Sequence, residues 1–456
     1  MKRNIFGKIL ALIFILFFIQ YSNLAEAGDK TLMGQDDPLI TEIKTILENN
    51  YLEPERLKKI DWNRINKKEE WLKEIFSNLD PHSHYLNPSD FKMFLEIMKG
   101  EYGGIGIELK FKKKSDQEEI FEKMPSDSCI DCCIDFLVII NSVYPDNPAG
   151  KAGLLPEDIL IKINNKDING WCLSKIAEEL KGKTGSAVEI TVLRENKELI
   201  FTITREIVKI NPITSFIFED PPSKIKVGYI KIKNFNVQGT FHNLLNNMSE
   251  LTKKGIENFI IDLRANHGGM LSEGVDVADI FLDQNFSERK IITSVQDKNG
   301  VTINEFFSFS RIKFISCLVV LVDAKSASSA EIVAAALQDH KKAIIVGLPT
   351  FGKASVQKTF HLQDGGGILV TIGRYFRPNG QTLQGYGVIP DIIIQKEAAK
   401  EEKPAKREKD LEMSLKPVGD KPPAPFADLP KKYQDDFQLI KSLEIIRSFE
   451  IMKKNN

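Results

Sequence analysis

A chain of 456 residues exceeds what one ordinary hydrophobic core supports, so two to four domains are expected. Charged residues make up 27% of it and the formal net charge is −1. That balance lacks the basic surplus of an electrostatic nucleic-acid binder and argues against nucleic acid as a partner.

Lys2, Arg3 and Lys8 accompany the apolar run Ile9–Ile19, and Ala25-Glu26-Ala27 supplies the small-x-small pattern of a signal-peptidase site. The run is shorter than the roughly 20 residues that span a bilayer. Residues 1–27 therefore read as a cleaved signal peptide, with an uncleaved membrane anchor as the alternative. No later segment is long and apolar enough for a membrane helix, so a mature protein in the periplasm or another exported compartment is expected.

Residues 37–98 carry apolar positions at three- and four-residue spacing and are expected to form a helical region closed by the turn-rich LDPHSHYLNPSD. From 100 to 207, short alternating strands and one or two helices suggest a small α+β module, opened by the glycine-rich YGGIGIEL. A polar excursion, 112–136, interrupts it and holds Cys129, Cys132 and Cys133. With Cys172 and Cys317 the chain has five cysteines, and an odd number leaves at least one thiol unpaired within the monomer. C-x-x-C-C has no second pair or histidine at usable spacing for a four-ligand zinc site. A local disulfide or inert thiols are expected instead, with no metal and no cofactor.

Residues 208–396 alternate strand and helix: VGYIKIKNF, FHNLLNNMSELTKKG, NFIIDLR, SEGVDVADIFL, CLVVLV, EIVAAALQDHKK, AIIVG. The alternation predicts βαβ units with parallel pairing. Residues 397–430 are rich in Lys, Glu and Pro and read as a linker. The segment 431–456 ends in an amphipathic stretch expected to pack as a helix, and the two terminal helical regions point to a possible homo-oligomer.

Loops at the carboxyl ends of parallel strands share one edge, where ligands bind. Three such loops are RANHGG (264–269), KSASSAE (325–331) and LPTFGKASVQ (348–357), so parallel neighbours would bring Ser328 and Lys353 together. Ser328 with Glu331 three residues on has the spacing of a helix capping box. A serine at a helix start also gains from the positive end of the helix dipole, and a desolvated lysine can act as its base. The pattern leaves cap and nucleophile both open; His267 is the one histidine close to these loops.

The stretch SASSAEIVAAALQDHKKAIIVGLPTFGKASVQ resembles the active-site segment of the carboxy-terminal processing (tail-specific) proteases, serine-lysine dyad peptidases. The likeness covers roughly residues 37 to 396. LDPHSHYLNPSDFKMF with YGGIGIEL is similar to the family's entry into its PDZ domain, and NPAGKAGLLPEDILIKINNKDI to the PDZ body. IIDLRANHGG is similar to its glycine loop and RYFRPNGQTLQGYGVIPDI to its closing core segment. The resemblance implies a multidomain α/β fold: a helical N-terminal region, a PDZ-like α+β module, and a ClpP/crotonase-like α/β protease core built of βαβ units. It implies Ser328 as nucleophile, Lys353 as general base and Gln357 as the residue that positions it. An oxyanion hole is implied from the N–H groups of Ser329 and of Gly268 or Gly269. The PDZ bend Gly103, Gly104, Ile105, Gly106 and Ile107 is implied to capture the free C-terminal carboxylate of a protein or peptide substrate.

Four positions depart from the family pattern: Lys325 and Ala354 stand where glycine is usual, Ala330 where serine is usual, and His267 where proline or a small residue is usual. Lys325 and Ala354 put the loop geometry in question if those positions demand positive φ. Two other readings stay open here: a catalytically silent PDZ adaptor, and a serine hydrolase that uses His267.

Overall fold

A computed structural model describes residues 32–33, 37–63, 66–113, 120–121, 136–143, 146–171, 173–209, 211–220, 223–282, 289–309, 316–396, 429–430 and 433–454. Residues 1–27, expected to be a signal peptide, most of the 112–136 excursion, Cys129, Cys132, Cys133 and Cys172, and nearly all of the segment 397–430, expected to be a linker, lie outside the described residues. The chain divides into two compact units, one of residues 1–45, 58–210 and 360–369 and the other of 46–57, 211–359 and 370–456. No helix among the described residues is long and apolar enough to cross a membrane.

In the first unit, helices Pro38–Asn50, Lys68–Ser77 and Pro88–Met98 realise the apolar periodicity of the N-terminal region, the first of them running on into the second unit. They are followed by an antiparallel sheet whose main path runs through Lys197–Thr204, Ala187–Arg194, Ile159–Ile163, Phe136–Val143 and Ile107–Lys113. Val138, Ile140, Ile163, Val188, Ile190 and Val192 alternate inward from these strands and meet Ile176 and Leu180 of helix Leu173–Leu180. Glu195 and Asn196, both at positive φ (50° and 62°), make the tight turn of the last hairpin. Bidentate contacts of 2.6 Å from Arg194, the residue directly before the turn, to the buried Asp158 hold that end of the hairpin.

The second unit is built on a six-stranded sheet in the order Ile213–Asp220, Ile225–Ile232, Asn258–Asp262, Cys317–Val322, Ile344–Gly347, Ile392–Ile393. Only the first pair is antiparallel; the other four pairings are parallel, as the strand–helix alternation predicts. Asn258–Asp262 and Cys317–Val322 are buried at every residue because both faces of the sheet are covered, which is why they read as unbroken apolar runs. Phe259, Ile261, Leu318 and Val320 face helices Thr240–Lys253, Leu271–Ile280 and Ser329–Asp339. Ile260, Val319 and Leu321 face the other way, against Leu439, Leu443 and Ile446 of the C-terminal helix Phe437–Lys454. That helix therefore spends its apolar face on the sheet of its own chain. Cys317, at the start of its strand, is a buried free thiol.

Candidate active site

The parallel order brings three loops to one edge of the sheet, and hydrogen bonds stitch them together. Ser326 Oγ donates to the Leu263 carbonyl (2.8 Å) and accepts from the Asp323 N–H (2.9 Å). The Ala327 N–H donates to the Asn266 carbonyl (2.9 Å) and the Phe351 N–H to the Ser326 carbonyl (3.0 Å). The buried Asp323 carboxylate accepts from the N–H groups of Ala265 and Lys325, both at 3.0 Å. Burial opposes its ionisation, but these bonds and the Lys396 ammonium outweigh it and hold the carboxyl below its ordinary range.

The three serines of KSASSAE have different situations. Ser326 is tied into the loop stitching, and Ser329 Oγ donates to the carbonyls of Gly269 (2.9 Å) and Met270 (3.1 Å). Ser328 sits at φ 56°, ψ −120°, directly before helix Ser329–Asp339. A non-glycine residue occupies that region only where its surroundings hold it there, and such strain clusters at functional sites.

Glu331 organises the arrangement. The capping-box spacing is realised in one arm, since the Ser328 N–H donates to Glu331 Oε2 at 2.9 Å. The Lys353 N–H donates to that same oxygen at 2.9 Å. Glu331 Oε1 accepts from the Gly352 N–H (2.7 Å) and from Thr350 Oγ1 (2.5 Å). One carboxylate thus ties the backbone of Ser328 to that of Lys353, across 25 residues of sequence. It is wholly buried, and burial raises its pKa while the four hydrogen bonds it accepts pull the other way.

Lys353 is only 3% exposed. Its carbonyl accepts from the Tyr375 hydroxyl, and the Tyr375 N–H donates to the Ala354 carbonyl (2.8 Å). Burial, with the Glu331 charge adding to it, pushes the Tyr375 hydroxyl well above its ordinary pKa, so it remains a donor. Gln357 Nε2 donates to Ser355 Oγ (3.0 Å) and Thr371 Oγ1 (3.1 Å), which fixes its amide beside the lysine loop. Gly352 lies at φ 87°, and a Cβ there would come within 2.9 Å of the Tyr386 and Gly387 nitrogens.

The glycine loop packs on Ser328. A Cβ on Gly268 would meet the Ser328 Cβ at 2.7 Å and the Ser329 nitrogen at 3.0 Å, so only glycine fits. The Gly268 N–H, however, is donated to Asn266 Oδ1 at 2.9 Å, while Asn266 Nδ2 donates to the Ile232 carbonyl. Gly268 is thus engaged within its own loop.

The departures are accommodated. Among the described residues, positive φ near the site falls on Ala265, Gly268, Gly269, Ser328 and Gly352, not on Lys325 or Ala354. Ala330 is buried on the helix. His267 Nδ1 lies 2.8 Å from the Lys325 carbonyl oxygen, so two of the unusual residues meet and join the glycine loop to the serine loop.

Gly103–Ile107 belong to the first unit. Gly103 and Gly104 pair with Ile207 and Glu206, Gly106 turns at φ 79°, and the Ile105 carbonyl accepts from the Ala149 N–H (2.9 Å). The residue types in sequence gave no separate sign of Tyr375 or Asn266. Glu331 did leave one, a carboxylate inside the otherwise apolar run AEIVAAAL, which the cap spacing alone had absorbed.

Residues 226–394 match the family model described as peptidase family S41, and residues 139–194 that of the PDZ domain. The chain belongs to peptidase family S41. It is a serine-type peptidase that carries a PDZ domain. The chain is 29% identical over 381 residues to the carboxy-terminal-processing protease of Bartonella bacilliformis, covering 81% of this chain and 80% of that one. It is 33% identical over 336 residues to the chloroplastic carboxyl-terminal-processing peptidase 2 of Arabidopsis thaliana, covering 73% of this chain and 61% of the relative. In fold it is similar to a putative S41 protease from Bacteroides fragilis, with a TM-score of 0.54 at 16% identity, covering 89% of this chain and 97% of that one.

Proposed function

We propose that this S41 peptidase recognises the C-terminal tail of a protein substrate through its PDZ domain and hydrolyses peptide bonds with a Ser328–Lys353 dyad. The observation that carries the reading is the strained backbone of Ser328, beside two serines whose hydroxyls already donate to backbone carbonyls. In this mechanism the neutral Lys353 amine takes the proton from Ser328 Oγ as Oγ attacks the scissile carbonyl. The oxyanion is held by the N–H groups of Gly269 and Ser329, at the positive end of helix Ser329–Asp339. The Lys353 ammonium then gives its proton to the leaving amine, and water hydrolyses the acyl-enzyme by the same relay in reverse. Gln357, its NH₂ turned to Ser355 and Thr371, offers Oε1 to orient the lysine.

The tail carboxylate would be taken by the N–H groups of the Gly103–Ile107 bend, which raises the local concentration of the scissile segment. The proposed division of labour is a signal peptide (1–27), helical region (37–98), PDZ domain (100–207), peptidase core (208–396), linker (397–430) and C-terminal helix (431–456). Export to the periplasm or an equivalent compartment follows from the signal. Self-association would use apolar side chains left exposed on the last helix, Phe449, Ile451 and Met452.

The test compares an unstructured peptide ending in a free apolar carboxylate with the same peptide amidated. Losing charge-assisted hydrogen bonds worth roughly 1.5–3 kcal/mol should lower kcat/KM about ten- to a hundredfold for the amide. Equal cleavage of both would remove tail recognition, and binding without any cleavage would favour the silent adaptor.

A further inference from the structure

We infer that Asp436, just before the C-terminal helix, is a positioning residue for the peptidase site, acting through Arg264 on the glycine loop. The inference rests on the Ser328 reading above. Asp436 grips the Arg264 guanidinium with both oxygens, Oδ1 to NH1 and Oδ2 to NH2, each at 2.7 Å. From the opposite side Asp262, fully buried, takes Nε (3.0 Å) and NH2 (2.7 Å) of the same guanidinium. Gln438 adds Oε1 to NH1 at 3.2 Å and turns its Nε2 to the Ile394 carbonyl (2.7 Å). Arg264, 14% exposed in its side chain, is thus clamped on both sides.

Arg264 is the first residue of the glycine loop. The next residue, Ala265, stands at φ 58° and donates its N–H to Asp323, the carboxylate that also holds the Lys325 N–H at the start of the serine loop. Asp323 in turn receives the Lys396 ammonium at 3.0 Å. The two site loops are therefore braced from below by Lys396, Asp436 and Gln438. All three lie beyond residue 394, where the family match ends. Asp436 also accepts the Leu439 N–H (3.1 Å) and so joins the start of the helix to the arginine. The helix itself is held by Leu439, Leu443 and Ile446 on the sheet. The arginine therefore has a fixed anchor, and the glycine loop a fixed starting point. Without Asp436 the guanidinium keeps its Asp262 side but, opposite it, only the longer contact to Gln438, and the loop that carries the Gly269 N–H loses its reference.

The experiment is steady-state kinetics of the full chain bearing Asp436→Asn, beside wild type, Leu443→Ala and Ser328→Ala, each with its melting temperature. Leu443→Ala removes apolar packing from the same helix without touching Arg264. The expected result is that Asp436→Asn lowers kcat about ten- to a hundredfold, the scale of a small misplacement of reacting groups, while KM stays within about twofold. Leu443→Ala lowers the melting temperature but keeps kcat at temperatures well below unfolding. A kcat for Asp436→Asn within about twofold of wild type overturns the inference. So does a loss that Leu443→Ala reproduces at matched folded fraction. Cleavage that persists in Ser328→Ala is the separate signature of a wrong nucleophile.

Discussion

Lys353→Ala protein is expected to cleave its substrates at least about a thousandfold more slowly than wild type, within the range that one general base contributes. The reasoning turns on what a buried lysine can do at this position. Its backbone is fixed at both ends, the N–H by Glu331 and the carbonyl by Tyr375, so the loop keeps its course when the side chain is cut back. Loss of activity would therefore report the amine and not a collapsed loop. Lys353→Arg sharpens the test. A guanidinium keeps the positive charge but cannot give up its proton near neutral pH, so arginine should restore nothing if the lysine is a base. Substantial rescue by arginine would make Lys353 an electrostatic support. His267→Ala, by contrast, should keep activity within about tenfold, because the ring contact with the Lys325 carbonyl stitches loops without supplying a base.

Glu331→Gln should lower kcat about a hundredfold and destabilise the fold by about 2 kcal/mol. The carboxylate accepts on both oxygens, from Thr350 and Gly352 on one and from Ser328 and Lys353 on the other. An amide has one acceptor oxygen, so its NH₂ must face one of those two donor pairs. The Thr350 hydroxyl can rotate to accept, but the Gly352 N–H cannot, and a buried donor left without a partner costs roughly 1–3 kcal/mol. Either orientation shifts the Gly352–Lys353 backbone relative to Ser328, and reacting groups displaced by about an ångström can lose two orders of magnitude. Kinetics combined with urea unfolding checks both halves. A variant with lowered stability and unchanged kcat would make Glu331 a structural brace only.

Much of the peptidase unit was legible because fully buried parallel strands announce themselves as short apolar runs. NFIID, CLVVLV and AIIVG read as strands, and taking them as parallel neighbours, as the sheet has them, turned a sequence separation into proximity of Ser328 and Lys353. What lay hidden has a common physical cause. Spacing reports which way a side chain faces, not what it meets across the fold. Ser-x-x-Glu named a cap, but a capping carboxylate on the surface and a buried one that also binds a second loop share the same four letters. Tyr375 reads as one more inward residue of GILVTIGRYF. The C-terminal helix showed an apolar face without naming its surface, and here that surface is the chain's own sheet. Lys325 and Ala354 drew attention as side chains where glycine is usual, yet the left-handed backbone falls on Ala265, Ser328 and Gly352. The strain sits on the serine itself.

The central claim is that Ser328, and not its neighbours, is the nucleophile. Wild-type protein treated with a peptidyl fluorophosphonate and digested should yield a single adduct in the segment 326–341, which fragmentation assigns to Ser328. The adduct should vanish in Ser328→Ala and form far more slowly in Lys353→Ala. An adduct on Ser326 or Ser329, or labelling of an active preparation that survives Ser328→Ala, would contradict the account.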